Sequence, residues 1–476
     1  MNGGSGSTSL KTRSIRFYLF LALILCVCST VAATTPDEVP VQGIVWGPYI
    51  TGTSPFGTII HVKTVLPANV SVQYATEEQF TRSGSYDHEV TLNGTANLLH
   101  IPLTGLAPGT RYHYRVVYDG RATGDCHFLT FPESGSFTFV VYGDSRDQIP
   151  VSDENIRHRS VAEMIAREPD VSFVLHTGDI VTDKSNPADW DRFFSAAGEM
   201  LANTTLVPVM GNHEQGTELW QEVFGTAPVY SLDCGDAHIT VLNSNDDAWN
   251  TIGCQTAWLA SDLTDAKPWR FVALHHPMYS SEEKHFGGWT NLRNEWESTF
   301  DSRGVTAVFQ GHVHAYERDI AGGVVYITEA RGGSPFYALN ETKITGYQNS
   351  RENSLGYTRV QVNPAMATAT ADVINVADFS TEDNSLLIIH PAGTVFETFE
   401  LKLPVSIKPP RMINTTLKNR EIHSLFSGYT PFSRKIFSFL TPEDSPSLWR
   451  MLSLQDAECG IGLINTLYPD VTGSTK

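Results

Sequence analysis

Five apolar runs of strand length in this chain each end in a turn that carries a residue type able to bind a metal. Phe137–Tyr142 runs into Gly143-Asp144-Ser145-Arg146, Phe173–His176 into Thr177-Gly178-Asp179, and Leu206–Met210 into Gly211-Asn212-His213-Glu214. Phe271–Leu274 runs into His275-His276-Pro277, and Ala307–Gln310 into Gly311-His312-Val313-His314. Short apolar runs bounded by turn residues read as buried strands. Helical candidates lie between them at Val161–Arg167, Trp190–Met200, Thr256–Leu263 and Leu292–Phe300. Strands alternating with helices predict an α/β layered domain. In open sheets of that kind, ligands bind just beyond the carboxyl ends of the strands. Val324–Thr328, Tyr357–Val362 and Thr368–Val376 read as the closing edge of the same domain.

Pooled, the strand ends offer Asp144, Asp179, Asn212, His275, His312 and His314. Carboxylates, an amide oxygen and imidazoles suit a pair of divalent or mixed-valence metal ions such as Fe, Zn or Mn, with one carboxylate shared between them. Two metals about 3.5–4 Å apart clamp the attacking and leaving oxygens of a phosphoryl displacement and acidify bound water. Each residue also has a plainer reading. A Gly-Asp after a strand serves as a helix cap or turn, and a single histidine on an apolar strand is ordinarily a packed core residue. The coincidence of five such ends is what favours the metal site. There is no Gly-x4-Gly-Lys-Ser/Thr loop, which argues against a P-loop nucleotide hydrolase.

At 476 residues the chain has room for two or three domains. Lys11, Arg13 and Arg16, then the apolar stretch Phe17–Val31 and Ala32-Ala33, form the pattern of a secretory signal peptide over residues 1–33. An uncleaved N-terminal membrane anchor is the alternative. From Val41 to Pro132 no long helical period occurs. Gly57–Thr64, Val70–Tyr74, Leu98–Pro102 and Tyr112–Tyr118 predict an antiparallel all-β sandwich at about 41–132. The catalytic candidates fall in 136–403. The remainder, 404–476, has Pro404, Pro409, Pro410 and scattered hydrophobics but no motif, and receives no assignment.

Acidic residues number 52 against 33 Lys plus Arg, a formal charge of -19. That balance repels nucleic-acid backbones and argues against nucleic acid as a general partner, while a bound metal can still draw in a small anion. Of six cysteines, Cys26 and Cys28 lie in the signal, and Cys234 and Cys254 are the preferred bridge among the rest, with free buried thiols as the alternative. Sequons at Asn69, Asn93, Asn203, Asn340 and Asn414 fit an exported glycoprotein.

The ordered motifs Gly143-Asp144, Gly178-Asp179, Gly211-Asn212-His213-Glu214, His275-x-Pro277 and Gly311-His312-Val313-His314-Ala315-Tyr316-Glu317-Arg318 resemble those of calcineurin-like metallophosphoesterases. The last motif resembles the purple acid phosphatase branch in particular. So does the preceding segment Leu106–Val116, whose Leu, Pro and alternating Tyr resemble a fibronectin type III domain with Tyr112 as a tyrosine corner. The resemblance spans about Val41 to Val376. It implies a fibronectin III-like sandwich followed by an α/β layered metallophosphoesterase domain, a β-sandwich flanked by helices. The implied activity is hydrolysis of small phosphate monoesters by metal-bound hydroxide. By the same resemblance, Asp179 bridges the metals, Asp144 and His314 hold one, and Asn212, His275 and His312 hold the other. His213 and His285 then contact phosphate or help the leaving group. Two departures stand out. Thr182 occupies the place of the branch's metal-binding tyrosine, and Arg146 that of the histidine found in the wider superfamily. The first metal thus lacks a usual ligand, to be replaced by water or by Asp183, and no purple colour is expected. Arg146 has two readings, a phosphate-binding guanidinium or a structural salt bridge with a nearby acid. Alternatives to the monoesterase are a phosphodiesterase or nucleotide hydrolase, and a binding protein with a decayed metal site. The loops Ser280–Gly288 and Arg331–Phe336 are expected to shape substrate choice.

Overall fold

The run Val171–His176 is buried at every position, as an unbroken apolar strand covered on both faces should be. The structure is a computed structural model in which residues 43–94, 96–147, 155–246, 252–264 and 266–404 are described. The signal-peptide reading at 1–33, Cys26, Cys28, Cys459, Asn414 and the tail from 405 onward lie outside these residues.

Two seven-stranded sheets form the centre. The first runs Thr205–Pro208, Val171–His176, Phe137–Tyr142, Ser354–Asn363, Thr368–Phe379 and Leu386–Ile389, with Val395–Lys402 also paired to Thr368–Phe379. The second runs Tyr230–Cys234, Ala237–Val241, Trp269–Ala273, Ala307–Gln310, Val324–Glu329, Tyr316–Ala321 and Tyr347–Arg351. The site-bearing strands are parallel within each sheet, with Tyr142, His176 and Pro208 in register in one and Ala273 and Phe309 in the other. Their carboxyl ends therefore meet at one edge of the layered structure.

Aromatic side chains fill the space between the sheets. Phe139 stacks on Phe173 at 4.9 Å and meets Phe309 edge-on at 5.6 Å. Helices Ile156–Ile165, Pro187–Ala196, Gly198–Asn203 and Thr217–Phe224 flank the first sheet, and Ile252–Asp262 and Ser298–Arg303 flank the second. The expected β-sandwich flanked by helices is what forms. The closing-edge expectation needs correction, because Ser354–Asn363 lies in the middle of the first sheet and Val324–Glu329 inside the second. Their apolar runs encode burial, and burial alone does not say which strands become neighbours.

The N-terminal strands make a three-stranded sheet, Ile44–Ser54, Gly57–Thr64 and Leu98–Thr104, and a five-stranded one built on His88–Asn93, Asn69–Thr76 and Arg111–Tyr118. Buried and half-buried residues alternate strictly along Arg111–Tyr118, as a half-covered strand requires. The Tyr112 hydroxyl accepts the Ala107 N–H at 2.9 Å, which closes the tyrosine corner. Tyr49 and Tyr114 donate to the backbone carbonyls of Val223 and Ala202, each at 2.6 Å, tying this sandwich to the helical layer. The strands-only expectation for this segment misses the short helix Glu77–Ser83, capped by the Thr76 hydroxyl.

Cys234 and Cys254 are not joined. Cys234 is buried where its strand pairs with Ala237, whereas Cys254 is exposed in the helix beyond the far end of the strand Ala237–Val241. Five extended residues span about 16 Å, and a disulfide needs Cα atoms within about 7 Å.

Candidate metal centre

The turns at the strand ends adopt backbone conformations that side chains rarely take. Asp144, Asp179 and His312 have φ values of 55°, 53° and 67°. Strain of this kind persists where surrounding contacts over-determine it, and it clusters at functional sites. Gly178 has φ 101°, and a Cβ there would lie 2.6 Å from His275 Nδ1, so the approach of the two turns requires glycine. The Glu214 carboxylate accepts the N–H groups of Asp179 at 3.1 Å, Val181 at 3.0 Å and Gly211 at 3.0 Å, clamping two of the turns together. Burial first, then the charge of Asp179, raise the Glu214 carboxyl to about 8. The Asp144 carboxylate accepts the backbone N–H of His312 at 3.0 Å, joining the first sheet to the second across 168 residues.

Six predicted ligands converge in two groups. Asn212 Oδ1 lies 3.0 Å from His275 Nε2 and 2.9 Å from His312 Nδ1, and those two nitrogens are 3.2 Å apart. Asp179 Oδ1 is 3.2 Å from His275 Nε2. Donors on a tetrahedral cation with bonds of 2.0–2.1 Å sit about 3.3 Å from one another, so this set is already spaced for an ion. His275 Nδ1 bonds the Thr177 carbonyl at 2.8 Å, and a carbonyl only accepts, so Nδ1 carries the proton and Nε2 is the atom that faces the site. Burial lowers the His275 pKa, but the negative field of Asp179 and Asp144 overrides it and lifts it to about 9. A cation at this position would meet the same field. Asp179 itself is held well below the usual carboxylate range: burial opposes its charge, but His275, His213 and Arg146 outweigh it.

The second group is Asp144, Asp179 and His314, with potential ligand atoms within 4.8 Å of one another. His314 Nδ1 donates to the Pro335 carbonyl, leaving Nε2 buried 3.4 Å from Asp144 Oδ1 with no hydrogen-bond partner among the described residues. An orphaned, buried imidazole nitrogen facing two carboxylates fits a metal ligand.

The remaining predicted residues border these groups. His213 Nδ1 bonds the Thr182 carbonyl at 2.5 Å, and its Nε2 is 3.7 Å from Asp179 Oδ2. His285 Nδ1 bonds Glu282 at 2.7 Å, its ring stacks on Trp289 at 4.7 Å, and its edge meets His312 at 5.3 Å. Arg146, only 8% exposed, places Nε 3.3 Å from Asp179 Oδ2. Asp183 does not reach in: it is exposed, and its carboxylate accepts the Ser185 N–H at 2.8 Å. The Thr182 hydroxyl donates to the Asp147 carbonyl.

Sequence reasoning passed over Glu214 and His276 inside its own motifs, and Glu282, Trp289 and Tyr337 outside them. His276 Nδ1 bonds the Ser244 hydroxyl at 2.9 Å, its ring lies 4.7 Å from that of His312, and burial, then His275, lower it to about 3. Tyr337 stacks on His314 at 4.0 Å. Adjacency to His275 could have flagged His276, but nothing local marks Tyr337.

Comparison with known proteins finds similarity to phosphoesterases. Residues 122–316 match the calcineurin-like phosphoesterase family. Purple acid phosphatase 23 of Arabidopsis thaliana is 26% identical over 361 residues, covering 61% of this chain and 76% of the relative. Phosphoenolpyruvate phosphatase of Allium cepa is 30% identical over 277 residues, covering 50% of this chain and 56% of the relative. The structure of a purple acid phosphatase from yellow lupin seeds shares the fold, with a TM-score of 0.60 at 15% identity over 75% of this chain and 74% of that one. The chain carries a calcineurin-like phosphoesterase domain, and the relatives and the solved structure it resembles are purple acid phosphatases and a phosphoenolpyruvate phosphatase.

Proposed function

We propose that the chain is an exported phosphatase that hydrolyses small phosphate monoesters with two metal ions. The observation that carries this is the spacing of Asn212, His275 and His312, whose donor atoms lie 2.9–3.2 Å from one another, with Asp179 Oδ1 3.2 Å from His275 Nε2. Asp179 would be the shared carboxylate, Asn212, His275 and His312 would complete one position, and Asp144 and His314 the other. When bound, the ions supply Lewis acidity and an activated water at neutral or mildly acidic pH.

This chain's own residues supply the rest. Glu214 holds the Asp179 and Asn212 turns in place through three N–H bonds. His213, its Nδ1 proton donated to the Thr182 carbonyl, holds Nε2 beside Asp179 and, when charged, donates from it to a phosphate oxygen. Arg146 offers N–H groups to the same oxygens, charge-assisted and in a nearly dry setting where they count most. His285, oriented by Glu282 and Trp289, presents Nε2 to the leaving oxygen and, when charged, delivers the proton that the departing alkoxide needs.

The N-terminal basic, apolar and small residues support export, and among the described residues no helix is long and apolar enough to cross a membrane. The test is elemental analysis with hydrolysis of p-nitrophenyl phosphate and bis(p-nitrophenyl) phosphate. About two equivalents of transition metal and preference for the monoester are expected, with Asn212→Ala losing one equivalent and at least about a hundredfold in rate. Preference for the diester would move the substrate class. No metal after incubation with Mn(II), Fe(II) and Zn(II) would refute the reading.

A further inference from the structure

We infer that Arg146 makes occupancy of the Asp144/His314 position conditional on an anion, so that this ion and a phosphate group reinforce one another while the other ion binds without needing the anion. The inference rests on the two-ion reading above. The two oxygens of Asp179 face different neighbours: Oδ1 lies 3.2 Å from His275 Nε2, and Oδ2 lies 3.3 Å from Arg146 Nε. A cation held by Asp144, His314 and Asp179 must share the shared carboxylate with a guanidinium.

The guanidinium is tethered to a backbone held on both sides. The Arg146 N–H donates to the Asp179 carbonyl at 3.1 Å, and its own carbonyl accepts the Ser334 hydroxyl at 3.1 Å. Both sides of the backbone are pinned, so the charge moves only as far as side-chain torsions allow. With Arg146 and Asp179 nearly buried, solvent screens their charges poorly. The Asp144/His314 position is also the poorer in donors, because Asp183 faces solvent and Thr182 is engaged with Asp147.

A phosphate dianion resolves the conflict. It takes up the guanidinium through paired N–H bonds and frees Asp179 Oδ2 for the cation. Because linkage is reciprocal, the cation tightens phosphate by the same factor that phosphate tightens the cation.

The test is a calorimetric titration of chelator-stripped protein with Mn(II), with and without inorganic phosphate, on wild type, Arg146→Gln and Arg146→Lys. Wild type should show one tight ion and a second at least about tenfold weaker, and phosphate should tighten the second by about 10–100-fold. Arg146→Gln should bind the second ion more tightly without phosphate and lose about tenfold of the coupling, whereas Arg146→Lys, which keeps the charge, should retain most of it. Retained tight binding of the first ion in both variants shows that they are folded. A second ion in Arg146→Gln with the wild-type affinity and coupling overturns the inference, as do two equally tight ions in wild type. Failure of all three proteins to bind any ion overturns the two-ion reading itself.

Discussion

His238 offers a stability test that is independent of the metal centre. It lies in the strand Ala237–Val241, with Nδ1 2.7 Å from Asp233 Oδ1 and Nε2 2.9 Å from Asp262 Oδ2. Both ring nitrogens can donate to carboxylates only if the imidazole is charged. Burial pulls its pKa down, but the two aspartates overcome that and lift it to about 9, against 6.5 for an ordinary histidine. At about 1.4 kcal/mol per pH unit, the difference is worth about 3 kcal/mol. Because the folded-state value is the higher one, this stabilisation is complete below about pH 6.5 and is lost as pH rises through about 9. Net stabilities of about 5–15 kcal/mol make such a loss visible. Urea unfolding of wild type and His238→Gln at pH 6 and pH 9.5 reads it directly. Wild type should be the more stable at pH 6, and the gap should shrink by about 3 kcal/mol at pH 9.5. If the two proteins keep a constant gap over that interval, the charged, doubly paired imidazole is wrong. The same strand leads on to Ser244, whose hydroxyl accepts the N–H groups of His275 and His276 at 3.2 and 2.9 Å.

Two further predictions concern the site. Glu214→Ala orphans three buried backbone N–H groups and should cost about 3–6 kcal/mol in denaturant unfolding, with Glu214→Gln costing less; an Ala variant as stable as wild type would remove the clamp from the account. His285→Gln should slow hydrolysis of an alkyl phosphate by about 10²–10⁴-fold and of p-nitrophenyl phosphate much less, since nitrophenolate leaves without a proton. Equal losses on both substrates would rule out proton delivery by His285.

The sequence by itself determined the layered α/β domain and the N-terminal sandwich. It also determined which residues stand at the carboxyl ends of the central strands. Apolar runs of strand length, glycine turns and strict alternation are local, and local pattern reports burial and chain reversal directly. That is why Asp144, Asp179, Asn212, His275, His312 and His314 could be named together, whereas Tyr112 was placed at its corner by the resemblance to fibronectin type III domains. Only the tertiary structure decided how those ends meet. The bond from His312 N–H to Asp144 bridges two sheets, and no local pattern encodes which crossover brings them together. The same holds for Ser354–Asn363 at mid-sheet and for Cys234 and Cys254 at opposite ends of a strand. Side-chain direction was equally out of reach. Asp183 turns to solvent, Arg146 turns onto Asp179, and Tyr337 covers His314, because rotamers answer to neighbours that are distant in sequence.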